Sequence, residues 1–198
     1  MPNGFATPSN FIEFVTTGPS KPTLPTTGTL ATRAGTETLT NKTLTSAVLT
    51  NPTITAQTPV LVTAATVTLD ATTHAGRTVV LDRAAGIAVT LPASAGTGDR
   101  YRLHVKTTFT SNATVKVANS TDVMQGIATL FQDAGDTVVG FATTSTSDTI
   151  TMYTAASNTT GGIAGALIEL EDVAAGFWSV RYISDAGGTE ATPFSATV

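Results

Sequence analysis

From residue 60 onward, apolar and polar residues alternate with a period of two, the pattern of strands that bury one face and wet the other. It predicts ten strands, over residues 60–69, 78–82, 87–91, 101–106, 114–118, 123–129, 137–142, 149–153, 163–170 and 177–183. Turn signals separate them, among them Ala85-Gly86, Gly96-Thr97-Gly98-Asp99, Asn119-Ser120, Gly161-Gly162 and Ala175-Gly176. The inward faces are read as Ile87, Val89 and Leu91; Tyr101, Leu103 and Val105; Val115 and Val117; Ile150 and Met152; Ile168 and Leu170; and Trp178, Val180 and Tyr182. No 3.6-residue period interrupts the strands, as a βαβ fold would require. The expected fold is therefore all-β, with a β-sandwich or jelly-roll-like domain over residues 60–198.

The pattern before residue 60 is different. Residues 30–59 form a linker in which the blocks LTNKT, LTSAV, LTNPT and ITAQT return an apolar residue followed by threonine every five residues. Five matches neither the helical nor the strand period, and Pro52 and the density of β-branched threonine disfavour helix. Leu39, Leu44, Leu49 and Ile54 would then form one narrow apolar stripe. Four such side chains bury too little area to stand alone at ~25 cal/mol per Å², so the stripe needs partners. Three copies meeting on an axis would give it a dry centre, and these four are the trimer-axis candidates of a short stalk. Packing on the chain's own domain is the other reading.

Residues 1–29 carry Phe5, Phe11, Ile12 and Phe14, and then no aromatic residue occurs until Tyr101. Seven of the nine prolines lie between Pro2 and Pro59. Proline removes a backbone donor and disfavours helix in the residue before it, so TTGPSKPTLPTTG at 16–28 should be extended. This is an anchoring arm, with the four apolar residues as the contacts it lays on a partner.

Composition narrows the function. Charged residues are 12% of the 198, the net charge is −4, and threonine fills about a fifth of the chain. The disorder signature of high charge and low hydropathy is missing, as are an apolar run long enough for a membrane span and a signal-peptide pattern. With no cysteine, thiolate catalysis, disulfides and sulfur-ligated metals are excluded. His74 reads as a turn residue and His104 as a polar-face residue. No Gly-x-Ser-x-Gly elbow exists, and Gly96-Thr97-Gly98 precedes a strand rather than a helix N-terminus, so it is a poor phosphate loop. The expectation is a non-enzyme without cofactor or metal.

The charges are polarised along the chain. Arg77 to Lys116 holds six basic and two acidic residues, whereas the chain after Lys116 holds nine acidic residues and one basic, Arg181. On the strand RYRLHVK, Arg100, Arg102, His104 and Lys106 share one face. On a later strand Glu169 and Glu171 share one face, with Asp172 next. Nucleic-acid readers are basic overall with aromatics beside the charges, and this chain is neither. One strand edge supplies neither the separated acid pair of a glycosidase nor the oxygen cage of a calcium site. Arg100, Arg102, Lys106, Glu169 and Glu171 are thus charged-interface candidates, open between a solvated face, a contact between subunits or with a partner, and a ligand stripe. The acidic face is expected opposite the arginine stripe, within the fold or across a subunit boundary.

The segment LATRAGTETLTNKTLTSAVLTNPTI at 30–54 resembles the TLTNKTLTSP linker modules of tailed-bacteriophage fibre, collar and head-decoration proteins. VTLP at 89–92, GDRYRLHV at 98–105, VAN at 117–119, DVMQG at 122–126, LEDVAAGFW at 170–178 and GTEATPFSA at 188–196 are similar to a β-sandwich module of phage virion proteins. The resemblance implies a homotrimeric virion component. Its expected form is a capsid decoration or cement protein, made in the host cytoplasm and carried on the outer surface of the capsid. The arm would lie on the major capsid protein, with no membrane or nucleic-acid partner. A tail fibre or spike that binds a host surface glycan, stacking on Tyr153, Trp178 or Tyr182, is the alternative.

Overall fold

The computed structural model describes residues 58–132, 135, 137–153 and 158–198, and there the chain forms twelve strands and no helix. The first six are β1 (Val60–Val62), β2 (Thr66–Thr68), β3 (Thr78–Leu81), β4 (Ala88–Thr90), β5 (Arg100–Val105) and β6 (Ala113–Lys116). The other six are β7 (Val123–Gln132), β8 (Val138–Ala142), β9 (Thr149–Tyr153), β10 (Leu167–Ala174), β11 (Phe177–Ala186) and β12 (Phe194–Ser195). They make a seven-stranded sheet in the order β1-β3-β5-β10-β11-β7-β8 and a five-stranded sheet in the order β12-β9-β6-β4-β2. The architecture is all-β and two-layered, as a β-sandwich is.

The first six strands alternate between the sheets, so each turn of chain adds one strand to each layer. β1, β3 and β5 pair in parallel in the larger sheet, and β2, β4 and β6 pair in parallel in the smaller one. Stacked registers put like residues over like: Val62, Leu81 and Val105 form one inward row, Val67, Val89 and Val115 another. β11 also runs parallel to β7. A jelly roll is antiparallel throughout, so that part of the expectation is corrected: the first half is a three-turn coil, and the antiparallel pairings are those of β8 with β7, β9 with β6 and β12, and β10 with β5 and β11. Parallel strands need a crossover, and here the crossover is a strand of the opposite sheet rather than a helix.

Every side chain read as inward from its alternation is buried, from Ile87 to Tyr182. The core also takes Leu69, Val79, Leu81, Phe109, Met124, Leu130 and Phe194. Each large apolar side chain so buried contributes roughly 1.5–3 kcal/mol. Trp178 and Tyr101 meet at one end of the core, with ring centroids 5.8 Å apart. The strand expected over 60–69 is instead two: the chain bends at Ala64 and Ala65, sending β1 to one sheet and β2 to the other. The short β12 is an addition to the ten expected strands.

Backbone approach fixes one glycine firmly. Gly126 lies on the inward face of β7, where a Cβ would stand 1.8 Å from the Val180 carbonyl oxygen of β11. Its N–H donates to the Thr143 hydroxyl oxygen, and its carbonyl accepts the Thr143 N–H.

Candidate functional site

Four of the five charged residues singled out from the sequence, Arg100, Arg102, Glu169 and Glu171, come together, and Lys106 does not join them. β5 and β10 are antiparallel neighbours, and their register places Glu169 beside Arg102 and Glu171 beside Arg100. β11 flanks β10 on its other side, with Arg181 beside Glu169 and Ser179 beside Glu171. The outward face of the larger sheet thus carries the row Arg102–Glu169–Arg181 and, two residues along, the row Arg100–Glu171–Ser179. Arginine on both sides of one glutamate follows from period-two geometry once the strand order is known. That order is a tertiary fact.

These rows line a groove of about 670 Å³, open to solvent and rimmed by Arg77. Arg100 Nη2 donates to Glu171 Oε1 at 3.0 Å, with the arginine side chain 73% exposed. Arg77 is occupied with the backbone: Nε and Nη2 donate to the Thr58 carbonyl and Nη1 to the Thr73 carbonyl. Among the described residues, Arg102, Glu169 and Arg181 have no ion pair or side-chain hydrogen bond. Lys106, at the far end of β5, is outside the groove. Its Nζ donates to Asp82 Oδ2 at 2.6 Å, and that bond, with a second from the Thr107 hydroxyl, holds the Asp82 carboxyl below the usual carboxylate range. Water screens an exposed pair of this kind, so it adds little to stability.

Asp172 does not join Glu169 and Glu171 outside. It continues the inward set Ile168, Leu170, Asp172, and is buried beside Trp178. Its carboxylate accepts the N–H groups of Ala95, Gly96 and Thr97 and the Thr97 hydroxyl, at 2.8 to 3.1 Å. Burial pushes its pKa up, but these donors outweigh burial and hold it below the ordinary value. The Gly96-Thr97-Gly98 loop is therefore an anion nest filled by the protein's own side chain. The sequence carried that signal, since the alternation of residues 168 to 172 points Asp172 inward. Asp148 does the same work at the C-terminus, accepting the N–H groups of Thr197 and Val198.

His74 sits in the turn after β2, buried, with its Nδ1 accepting the Asp70 N–H at 3.1 Å. His104 is on the outward face of β5, partly covered. Among the described residues no group of three or more histidines and carboxylates is placed to hold a metal ion. Of the aromatics considered for sugar stacking, Trp178 and Tyr182 are core residues; the Tyr182 hydroxyl accepts the Gly162 N–H, and burial pushes its pKa up to about 12. Tyr153 is partly exposed. The arm candidates Phe5, Phe11, Ile12 and Phe14 and the axis candidates Leu39, Leu44, Leu49 and Ile54 lie outside the described residues.

No protein family matches the chain, and neither a curated protein nor a solved structure does.

Proposed function

We propose that this chain is a non-enzymatic component of a tailed-bacteriophage virion, a homotrimeric capsid decoration or cement protein. The observation that carries the reading is the linker at 30–54, with its five-residue blocks and the run TLTNKTLTS. The resemblance of that run to phage linker modules and the need of its apolar stripe for identical partners lead separately to the same trimer. In this reading Phe5, Phe11, Ile12 and Phe14 lie on the major capsid protein, the stripe forms a three-chain stalk, and the two-sheet body faces outward. Three arms per trimer act multivalently, which offsets the cost of ordering each arm on binding.

A receptor-binding fibre is less well supported. Two of the three aromatics that would stack on a sugar, Trp178 and Tyr182, are buried in the core. Imaging of labelled protein on intact virions tests the proposal: signal over the head is expected, and signal confined to the tail would refute it. Deleting residues 1–29 should abolish capsid binding while leaving a trimer in solution. A truncated protein that still decorates capsids would refute the role of the arm, and a full-length monomer at micromolar concentration would refute the trimer.

A further inference from the structure

We infer that the groove across β3, β5, β10 and β11 is a binding site for an extended acidic peptide segment of a partner protein, with acid side chains at alternating positions. The first ground is charge. Arg77, Arg100, Arg102 and Arg181 surround Glu169 and Glu171, so the groove carries a formal charge of +2 on a chain whose net charge is −4. An acidic segment that avoids the rest of the surface is drawn to this place.

The second ground is availability. Arg102 and Arg181 are exposed, flank Glu169 in register, and have no bonding partner among the described residues. Arg100 spends one donor on Glu171 and is largely exposed, leaving most of its five N–H groups free. A guanidinium takes a carboxylate through two parallel bonds, the strongest exposed charge pairing a side chain offers. Arg77 is committed to backbone carbonyls and only shapes the rim.

The third ground is spacing. Arg100 and Arg102 are two residues apart on one strand, about 6.8 Å, which is the repeat of same-face side chains on any extended chain. An acidic residue at every second position of an extended segment running along β5 therefore meets one arginine each. Arg181, two strands over, stands about 10 Å from Arg102 across the row, where it reaches a third carboxylate or the segment's backbone carbonyls.

The glutamates decide between a peptide and a polyanionic glycan. Glu169 stands in the middle of the row, where it repels a polymer carrying negative charge at every unit and accepts a hydrogen bond from an amide or hydroxyl between two acid side chains. The one ring among the residues lining this groove, Tyr101, is turned into the core at 1% exposure and offers no face for a sugar to stack on. This site does not depend on the virion reading, and its test is separate from imaging or arm deletion.

The experiment is a titration of the full chain, at low salt, with a labelled peptide of alternating glutamate and threonine about ten residues long. The matching lysine–threonine peptide and polygalacturonate serve as comparisons. Saturable binding of the glutamate peptide is expected, weakened by added salt, with little binding of the other two. The double variant Arg102→Gln/Arg181→Gln should bind at least tenfold more weakly with an unchanged unfolding midpoint, because both side chains are exposed and unpartnered. Absence of binding at millimolar peptide, binding unaffected by the double variant, or polygalacturonate binding tighter than the peptide would each overturn the assignment.

Discussion

Replacing Asp172 by asparagine isolates one buried carboxylate that ties the 95–97 loop to β10. The native group receives three backbone N–H bonds and one hydroxyl bond: Gly96 donates to Oδ1, the Thr97 N–H and hydroxyl to Oδ2, and the Ala95 N–H is shared between both oxygens. Asparagine keeps one acceptor oxygen, which can retain Ala95 and Gly96, and turns an NH₂ group toward the Thr97 N–H. The Thr97 hydroxyl can reverse and accept, but the N–H cannot. An unsatisfied buried donor costs about 1–3 kcal/mol, and weakening two charge-assisted bonds to neutral ones costs roughly another 1–2 kcal/mol in total. The expected loss is about 3 kcal/mol. At a urea slope of about 2 kcal/mol per M the midpoint should fall by roughly 1.5 M, and the melting temperature by about 6–12 °C. Asp185→Asn, at an exposed carboxylate, serves as the control and should stay within about 0.5 kcal/mol of wild type. A midpoint for D172N indistinguishable from that control, with unchanged slope, would refute the claim that the loop is held by this carboxylate.

Three further expectations follow from the same structure. Because the Asp172 and Asp148 carboxyls are held below their ordinary pKa, their contribution is complete above about pH 4 and disappears as pH falls through the depressed values; the stability gap between wild type and D172N should therefore narrow on acidification, measured as urea midpoints across pH 2 to 6, and a gap that widened would contradict the sign. Gly126→Ala pushes a Cβ against the Val180 backbone carbonyl and should destabilise by at least about 2 kcal/mol or prevent folding, whereas Gly140→Ala, with open space around its Cβ position, should shift the urea midpoint little. Arg100→Ala breaks an exposed ion pair and should cost under about 1 kcal/mol, with the small effect erased by high salt; a salt-independent loss would mean that the arginine stem, not its charge, matters.

Much of the body was legible because a strand's two faces are written in its own residues. Tyr101, Leu103 and Val105 point inward whatever lies next to them, and the same local rule placed Arg100 and Arg102 together outside and Glu169 and Glu171 together on another strand. Opposite sign alone does not make these two sets neighbours; the β5–β10 register does. The single strand expected over 60–69 is two because the backbone turns at Ala64 and Ala65, where the alternation slips by one position, and two small residues leave no mark of which sheet each half joins. Asp172 was grouped with its acidic neighbours by charge, although its parity belonged with Leu170.

Local periodicity, composition and the lack of cysteine by themselves determined an all-β chain, the inward residues of its strands, and an N-terminal stretch poor in core-forming side chains. Only the tertiary structure decided which strands are neighbours, because a β-ladder is made by backbone groups that every residue carries alike. That choice of neighbours produced the parallel three-turn coil, set Arg102 and Arg181 on either side of Glu169, and filled the glycine loop with Asp172 from a strand more than seventy residues away.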